Sequence, residues 1–312
     1  MKKLVKIILF GLVSTLVFIA CSNSKKEETE KKVETILIQT SKGEVKVPKD
    51  IKKVAIFDFG SLDTMDTLGV KVEIATATQS IPKSIEKYKE GALDVGTLQE
   101  PNLEKLNEFK PDLIIISGRT EKYYDELSKI APTIFVGLDA KNYMSDLNKT
   151  VTNLGKSFGK ETEAANKLKE LETEISEIKK ETANFDKNIL VLLTNDGKIS
   201  AYGAGSRFGW IFTDLGLKSS DENIKASTHG QEVNFEYISE KNPDIIFYVD
   251  RAKITGGSKG GSDTLNNDLV LKSEAGQSNK VISLDPEAWY LMAGGLSSTR
   301  LQLNEIKNGI KY

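Results

Sequence analysis

One stretch of this chain occurs twice, and it constrains the fold more than any other feature. Residues 102–119 read NLEKLNEFKPDLIIISGR, and 132 positions later residues 234–251 read NFEYISEKNPDIIFYVDR. Both follow the frame Asn-x-Glu-x6-Pro-Asp-x6-Arg. Each copy predicts a short helix capped by its Asn, a Pro-Asp corner, and an apolar strand ending at an arginine. The spacing is too long for a solenoid, whose periods reach about 50 residues. It predicts two similar lobes. Arg119 and Arg251 then end equivalent strands, and open α/β sheets bind ligands at the carboxyl ends of their strands. Two arginines aimed into one cleft predict an anionic ligand.

The rest of the sequence supplies the elements around that repeat. Val33–Val47 predicts a small hairpin turning at Ser41-Lys42-Gly43. Lys53–Asp58, Leu113–Ser117 and Thr133–Val136 predict buried strands with charged helical segments between them. This alternation indicates a parallel sheet. From about Asn148 the pattern changes. Leu154, Phe158, Ala165, Leu168, Leu171, Ile175 and Ile178 recur at steps of three and four residues or their sums, predicting one amphipathic helix of about 30 residues. Beyond it, Asn188–Thr194 and Lys198–Tyr202 flank Asn195-Asp196-Gly197, a hairpin turn. GAGSRFGW leads into a helical IFTDLG. Ile245–Val249 and Lys280–Ser283 are later strands, and Ser297–Asn308 is a final helix. The expected fold is therefore α/β, with two Rossmann-like lobes at 35–147 and 184–312 joined by one long rigid α-helix at 148–183.

The N-terminus indicates export. Lys2, Lys3 and Lys6 precede an apolar run from Ile7 to Ala20, too short to span a bilayer comfortably. It stops at Phe18-Ile19-Ala20-Cys21, and Cys21 is the only cysteine. This resembles a bacterial lipobox, implying a signal peptide over 1–20, cleavage before Cys21, and lipidation of its sulfur. Residues 21–34, lysine- and glutamate-rich, are expected to be a disordered tether. Localisation at the outer face of the cytoplasmic membrane, or in a periplasm if an outer membrane exists, follows from that resemblance. Of 43 Lys+Arg and 45 Asp+Glu, removal of 1–20 takes three lysines and no acids, leaving 40 − 45 = −5. Nothing in that balance suggests a nucleic acid partner. A single cysteine allows no internal disulfide, so stability must come from the cores.

Taken together, the lipobox, two α/β lobes, a linking helix and the repeated Asn-x-Glu…Pro-Asp frame resemble the class III substrate-binding proteins of ABC importers, which bind ferric siderophores, haem or cobalamin. Five positions resemble the ferric-catecholate binders of the enterochelin and petrobactin type. These are Arg119 (IIISGRT), Arg207 (GAGSRFGW), Arg251 (YVDRAK), His229 (ASTHGQEVNFEYI) and Tyr290 (DPEAWYLMAGG). The resemblance implies three pocket arginines, with His229 and Tyr290 able to ligate ferric iron held by the siderophore. It also implies that Glu104 and Glu236, one per lobe, dock on a two-fold ABC permease dimer in the membrane. The implied protein is a monomeric receptor that carries no intrinsic cofactor and performs no turnover chemistry.

Elementary chemistry agrees with that assignment. A ferric tris-catecholate carries a charge of about −3, and guanidiniums neutralise it, donate in planar forks and stack on rings. If a siderophore offers only two catecholates, an imidazole and a phenolate can complete an iron octahedron. Each residue also has a plainer reading. The arginines can form surface ion pairs or a tight turn, His229 can be a surface residue, and Tyr290 can be core packing. Glu104 and Glu236 each sit two residues past a capping Asn and favour the helix dipole. Trp210 and Trp289 are expected at the pocket edge. The Gly- and Ser-rich ITGGSKGGSDTL after Arg251 is expected to be a mobile loop. Haem or cobalamin remains an alternative ligand. An exported hydrolase is a more distant one, lacking a GxSxG element to pair with His229. The glycines of GAGSRFG miss the dinucleotide spacing by one residue, and one histidine without a spare cysteine does not build a zinc site.

Overall fold

The computed structural model describes residues 34–311. The expected signal peptide, Cys21 and nearly all of the expected tether lie outside the described residues. The chain begins with an antiparallel hairpin of β1 (Thr35–Thr40) and β2 (Gly43–Pro48). A first sheet follows, built from β3 (Lys53–Ile56), β4 (Glu73–Thr76), β5 (Leu93–Asp94), β6 (Leu113–Ile116) and β7 (Thr133–Phe135), in the order β5-β4-β3-β6-β7. All its pairings are parallel. The second sheet contains β8 (Asn188–Asn195), β9 (Lys198–Tyr202), β10 (Lys218–Ser219), β11 (Gln231–Val233), β12 (Ile245–Asp250) and β13 (Val281–Leu284). Its order is β11-β9-β8-β12-β13, with β10 paired to β8. The strands β8, β12 and β13 run parallel, whereas β9 and β11 are antiparallel to their neighbours. The expected α/β class with parallel sheets is what the chain adopts.

The repeat builds the same object in each sheet. Helices Leu103–Phe109 and Phe235–Lys241 are both seven residues long. Asn102 accepts from the Lys105 amide at 3.0 Å and Asn234 from the Tyr237 amide at 2.9 Å, each satisfying an orphan donor of the first turn. Each helix ends on a left-handed residue, Lys110 (φ 52°) and Asn242 (φ 39°). Past the proline, Asp112 accepts from the Lys52 and Lys53 amides at 2.8 and 2.9 Å, holding the start of β3. Asp244 accepts from the Asn188 amide at 2.8 Å, holding the start of β8. Strands β6 and β12 then pair with β3 and β8 respectively. The Pro-Asp corner thus staples each repeated strand to the strand beside it.

The single helix expected over 148–183 is two. The first spans Tyr143–Ser157 and the second Glu161–Thr182, with Phe158-Gly159-Lys160 between. Gly159 takes φ +63°, which L side chains adopt only with strain. The Lys160 amide returns to the Gly155 carbonyl at 2.7 Å, closing the first helix as a C-terminal cap does. A Cβ on Gly155 would meet the Ala164 Cβ at 2.7 Å, so the two helices approach closely there. The apolar spacing continues through the break, which is why the sequence read as one helix. The 22-residue Glu161–Thr182 helix is the long element leading into the second sheet.

The two sheets are joined through helices, and residues from Glu34 onward cluster as one unit. The final helix, Leu296–Gly309, packs on the early helix Phe59–Thr67. Buried Asp63 accepts from the Ser297 and Ser298 amides at 2.9 and 3.0 Å, filling the first turn of the last helix. Gly60 permits this approach, since a Cβ there would lie 2.6 Å from the Ala293 carbonyl oxygen. Aromatic rings complete the join. Tyr143 stacks on Trp210 at 5.3 Å, Trp210 on Trp289 at 5.7 Å, and Phe208 meets Trp289 edge-on at 5.9 Å. Both tryptophans are 1% exposed, so they are core between the lobes rather than pocket edge.

Candidate functional site

Three arginines from three parts of the chain meet at one tyrosine ring. Arg119 lies just beyond β6, Arg251 immediately after β12, and Arg207 in the turn between β9 and the short Trp210–Thr213 helix. Tyr290 lies in a turn of π-helix, Glu287–Leu291, after β13. Their guanidinium carbons stand 5.3, 5.7 and 4.7 Å respectively from the centre of the Tyr290 ring, within the range of cation–π attraction. Arg119 Nη2 also donates to the Tyr290 carbonyl at 2.6 Å. The repeat-related arginines therefore do converge, and the sequence-selected Arg207 and Tyr290 stand between them.

Two cavities open around this cluster. One, of about 160 Å³, is lined by Arg207, Arg251, Tyr290, His229 and Tyr202 together with residues of β8, β9 and β11. The other, of about 430 Å³, is lined by Arg119, Asp58, Ser117, Tyr143, Leu138 and Leu291 among others. Arg207, Thr228 and His229 line both, so the two are compartments of one cleft. All five residues chosen from the sequence fall on its walls. His229 is exposed on a loop whose backbone amide donates to Ser227 Oγ at 3.1 Å.

The electrostatics of the cleft are dominated by cations held close together. Burial first, and then the positive charge of Arg207, lower the pKa of Arg119 from its ordinary value, while Asp58 and Tyr290 oppose the shift. A guanidinium so placed remains protonated, and its unfavourable surroundings are relieved by an anion. Arg251 Nε is buried without a hydrogen-bond partner among the described residues.

Asp58 and Tyr202 are among the titratable groups of the cleft that the sequence did not single out. Asp58 caps the Phe59–Thr67 helix, its carboxylate accepting from the Ser61 amide at 2.8 Å and the Ser61 hydroxyl at 2.9 Å. Burial raises its pKa despite those bonds and the nearby Arg119. Tyr202 has its pKa pushed up to about 12 by burial, against the opposing pull of Arg207 and Arg251, and it presents a neutral phenol. Asp58 could have been suspected because it follows an apolar strand at its carboxyl end. Tyr202 carried no such signal.

The Gly- and Ser-rich loop after Arg251, expected to be mobile, is tied down. Asp196 Oδ1 accepts from the Ser258 amide at 3.0 Å, the Ser258 hydroxyl at 2.9 Å and the Lys259 amide at 2.8 Å. Glu104 and Glu236 are exposed at equivalent positions in the first turns of the two repeat helices. Among the described residues no cluster of three or more His, Cys, Asp or Glu side chains could hold a metal ion. No helix among them is long and apolar enough to cross a membrane.

Comparison with known proteins places this geometry in context. Residues 54–288 match the profile of the periplasmic binding protein family. The chain is 43% identical over 311 residues to the petrobactin-binding protein YclQ of Bacillus subtilis, covering 98% of each. The crystal structure of YclQ superposes with a TM-score of 0.86, over 89% of this chain and 99% of that one. The iron-uptake ABC transporter substrate-binding protein PiuA of Streptococcus pneumoniae is 35% identical, with a TM-score of 0.84 over 89% and 99% of the two chains. The catecholate-siderophore binding protein VctP of Vibrio cholerae is 31% identical, with a TM-score of 0.82 over 88% and 100%.

Proposed function

As this chain belongs to the periplasmic binding protein family, we propose that it is the receptor of an ABC importer, capturing a ferric catecholate-type siderophore in its cleft. The observation that carries the reading is the ring of three guanidiniums around Tyr290. Such a cluster suits a multiply charged, ring-bearing anion, which it neutralises and stacks upon. YclQ and VctP, whose names specify petrobactin and catecholate siderophores, support the same ligand class. Tyr202 supplies a phenolic donor. His229 and Tyr290 share one compartment and can close the iron coordination of a siderophore with only two catecholates.

Delivery to the membrane completes the proposal. Glu104 and Glu236, exposed and matched by the repeat, are the docking contacts for a two-fold permease. The lipidated Cys21 tethers a monomeric receptor to the outer face of the cytoplasmic membrane. The aromatic column and the last helix hold the lobes together, so ligand binds a largely preformed cleft. The role is binding without turnover. Titrating the protein with ferric complexes of a bis-catecholate, a tris-catecholate, a hydroxamate and haem, for wild type and His229→Ala, tests it. Tight binding of the catecholates is expected, with only the bis-catecholate weakened by the substitution. Binding of haem or hydroxamate alone overturns the ligand class.

A further inference from the structure

Tyr290, the ring on which the three arginines converge, sits in a turn that is held from outside. Over Glu287–Leu291 the backbone takes a π-helix, closed by the Met292 amide on the Glu287 carbonyl at 3.0 Å. Such i→i+5 turns are rare, and they frequently mark functional sites. The supports of this one come from the last helix, Leu296–Gly309. Glu305 is the central support. Its Oε1 accepts from the Asp285 amide at 2.8 Å, just before the turn, and its Oε2 accepts from the Trp289 indole at 2.7 Å, inside the turn. Three residues earlier on the same face, Gln302 Nε2 donates to the Ala288 carbonyl at 2.8 Å. Asp285 Oδ1 in turn accepts from the Ala288 amide at 2.8 Å.

Glu305 differs from an ordinary surface acid in two ways. It is half-buried, and burial raises its pKa while the bonds from Trp289 and the Asp285 amide oppose the shift. Enclosing it is therefore unfavourable, and the two donors offset that cost. Each of its oxygens serves a different N–H. A glutamine has one acceptor oxygen and would turn its own N–H groups on the other donor. Both donors belong to the segment that carries Tyr290, and the indole of Trp289 is fixed on its face by Trp210. Glu305 itself lines neither compartment of the cleft.

We propose that Glu305 is a positioning residue for ligand capture: from the last helix it holds Asp285 and Trp289, and so sets the π-turn where Arg119, Arg207 and Arg251 all address the Tyr290 ring. The inference rests on the siderophore reading above and gives that site a determinant outside the cleft. With one of the two bonds lost, a donor is left unserved, the turn relaxes and Tyr290 leaves the centre of the arginines.

The test uses the full-length chain in detergent, labelled with 3-fluorotyrosine, with the Tyr290 fluorine resonance assigned through Tyr290→Phe. Glu305→Gln keeps the shape of the side chain. It is expected to move the Tyr290 resonance, leave that of the distant Tyr237 in place, and weaken binding of a ferric tris-catecholate about tenfold by calorimetry. In a Tyr290→Ala background the same substitution is expected to cost no further affinity, because it acts through that ring. Trp289→Phe removes only the indole donor and is expected to move the same resonance, which covers the case of Glu305→Gln failing to fold. A carboxylate with a merely structural role would lower the unfolding midpoint and leave the resonance and the affinity alone. An unmoved Tyr290 resonance, or a loss of affinity that persists in full without Tyr290, overturns the positioning role but leaves the siderophore reading standing. Binding of no ferric catecholate by wild type overturns that reading instead, and the resonance alone then decides what holds Tyr290.

Discussion

The two lobes start from one sequence frame and make the same capped helix, corner and strand, yet they finish differently at the cleft. In the first lobe β6 ends at Ile116, and Ser117-Gly118 carry the chain to Arg119. In the second, β12 continues through Asp250 and Arg251 follows at once. Arg119 reaches a carbonyl of Tyr290, whereas Arg251 leaves Nε unpaired. The neighbouring strand of the first lobe leads to Asp58, while that of the second ends in uncharged Thr194 and Asn195 and folds back as a hairpin. The parts that repeat hold the sheets together, and the parts that differ shape the ligand's surroundings.

The largest effect expected concerns the arginines. Arg119→Ala should weaken binding of a ferric catecholate about a hundredfold, because it removes a half-buried charge and frees Tyr290; Arg251→Ala should cost about tenfold. Fluorescence titration of the two variants checks this, and equal losses would mean the lobes contribute alike. The corners come next. Asp112→Ala leaves two backbone amides unserved and should cost about 2 kcal/mol, and Asp244→Ala, which strips the Asn188 amide and the Lys187 ion pair, should cost a similar amount. Denaturant unfolding reads both, with ligand affinity unchanged.

Asp58 offers a pH test of the asymmetry. Its folded pKa is raised above the ordinary 3.8, so the folded protein binds its proton more tightly than the unfolded chain does. Its contribution to stability is fully present below the unfolded value and is lost as pH rises through the folded one. Relative to Asp58→Asn, which keeps the helix cap, wild type should lose stability with rising pH across that window. Parallel stability curves would show that Asp58 is not desolvated. The smallest effects on the isolated protein belong to Glu104→Ala and Glu236→Ala. Each should change stability by about 0.5 kcal/mol and leave siderophore affinity intact, while cellular uptake falls equally for both. Unequal uptake would break the symmetry of docking.

Much of this was legible because it is local. Caps, Pro-Asp corners and apolar strands are written in consecutive residues, so the strands that were expected match to within two residues and both repeats form their capped helix, whereas β4, β5, β10 and β11 were not foreseen. The repeat also located two of the three arginines. What sequence spacing missed depends on distant contacts or on single backbone angles. Nothing near Asp63 signals that it caps a helix beginning at Leu296, and nothing near Trp210 announces Trp289. The break at Gly159 is one positive φ inside an otherwise continuous apolar pattern.

The most direct test of the shared cleft is a double-mutant cycle on Arg119 and Arg251, read as the dissociation constant for a ferric tris-catecholate. Both arginines address one ligand and one tyrosine ring, so the account predicts that each single substitution weakens binding and that the double loss departs from the sum of the two. Strictly additive losses, or single variants that bind like wild type, would contradict a site built jointly by the two lobes.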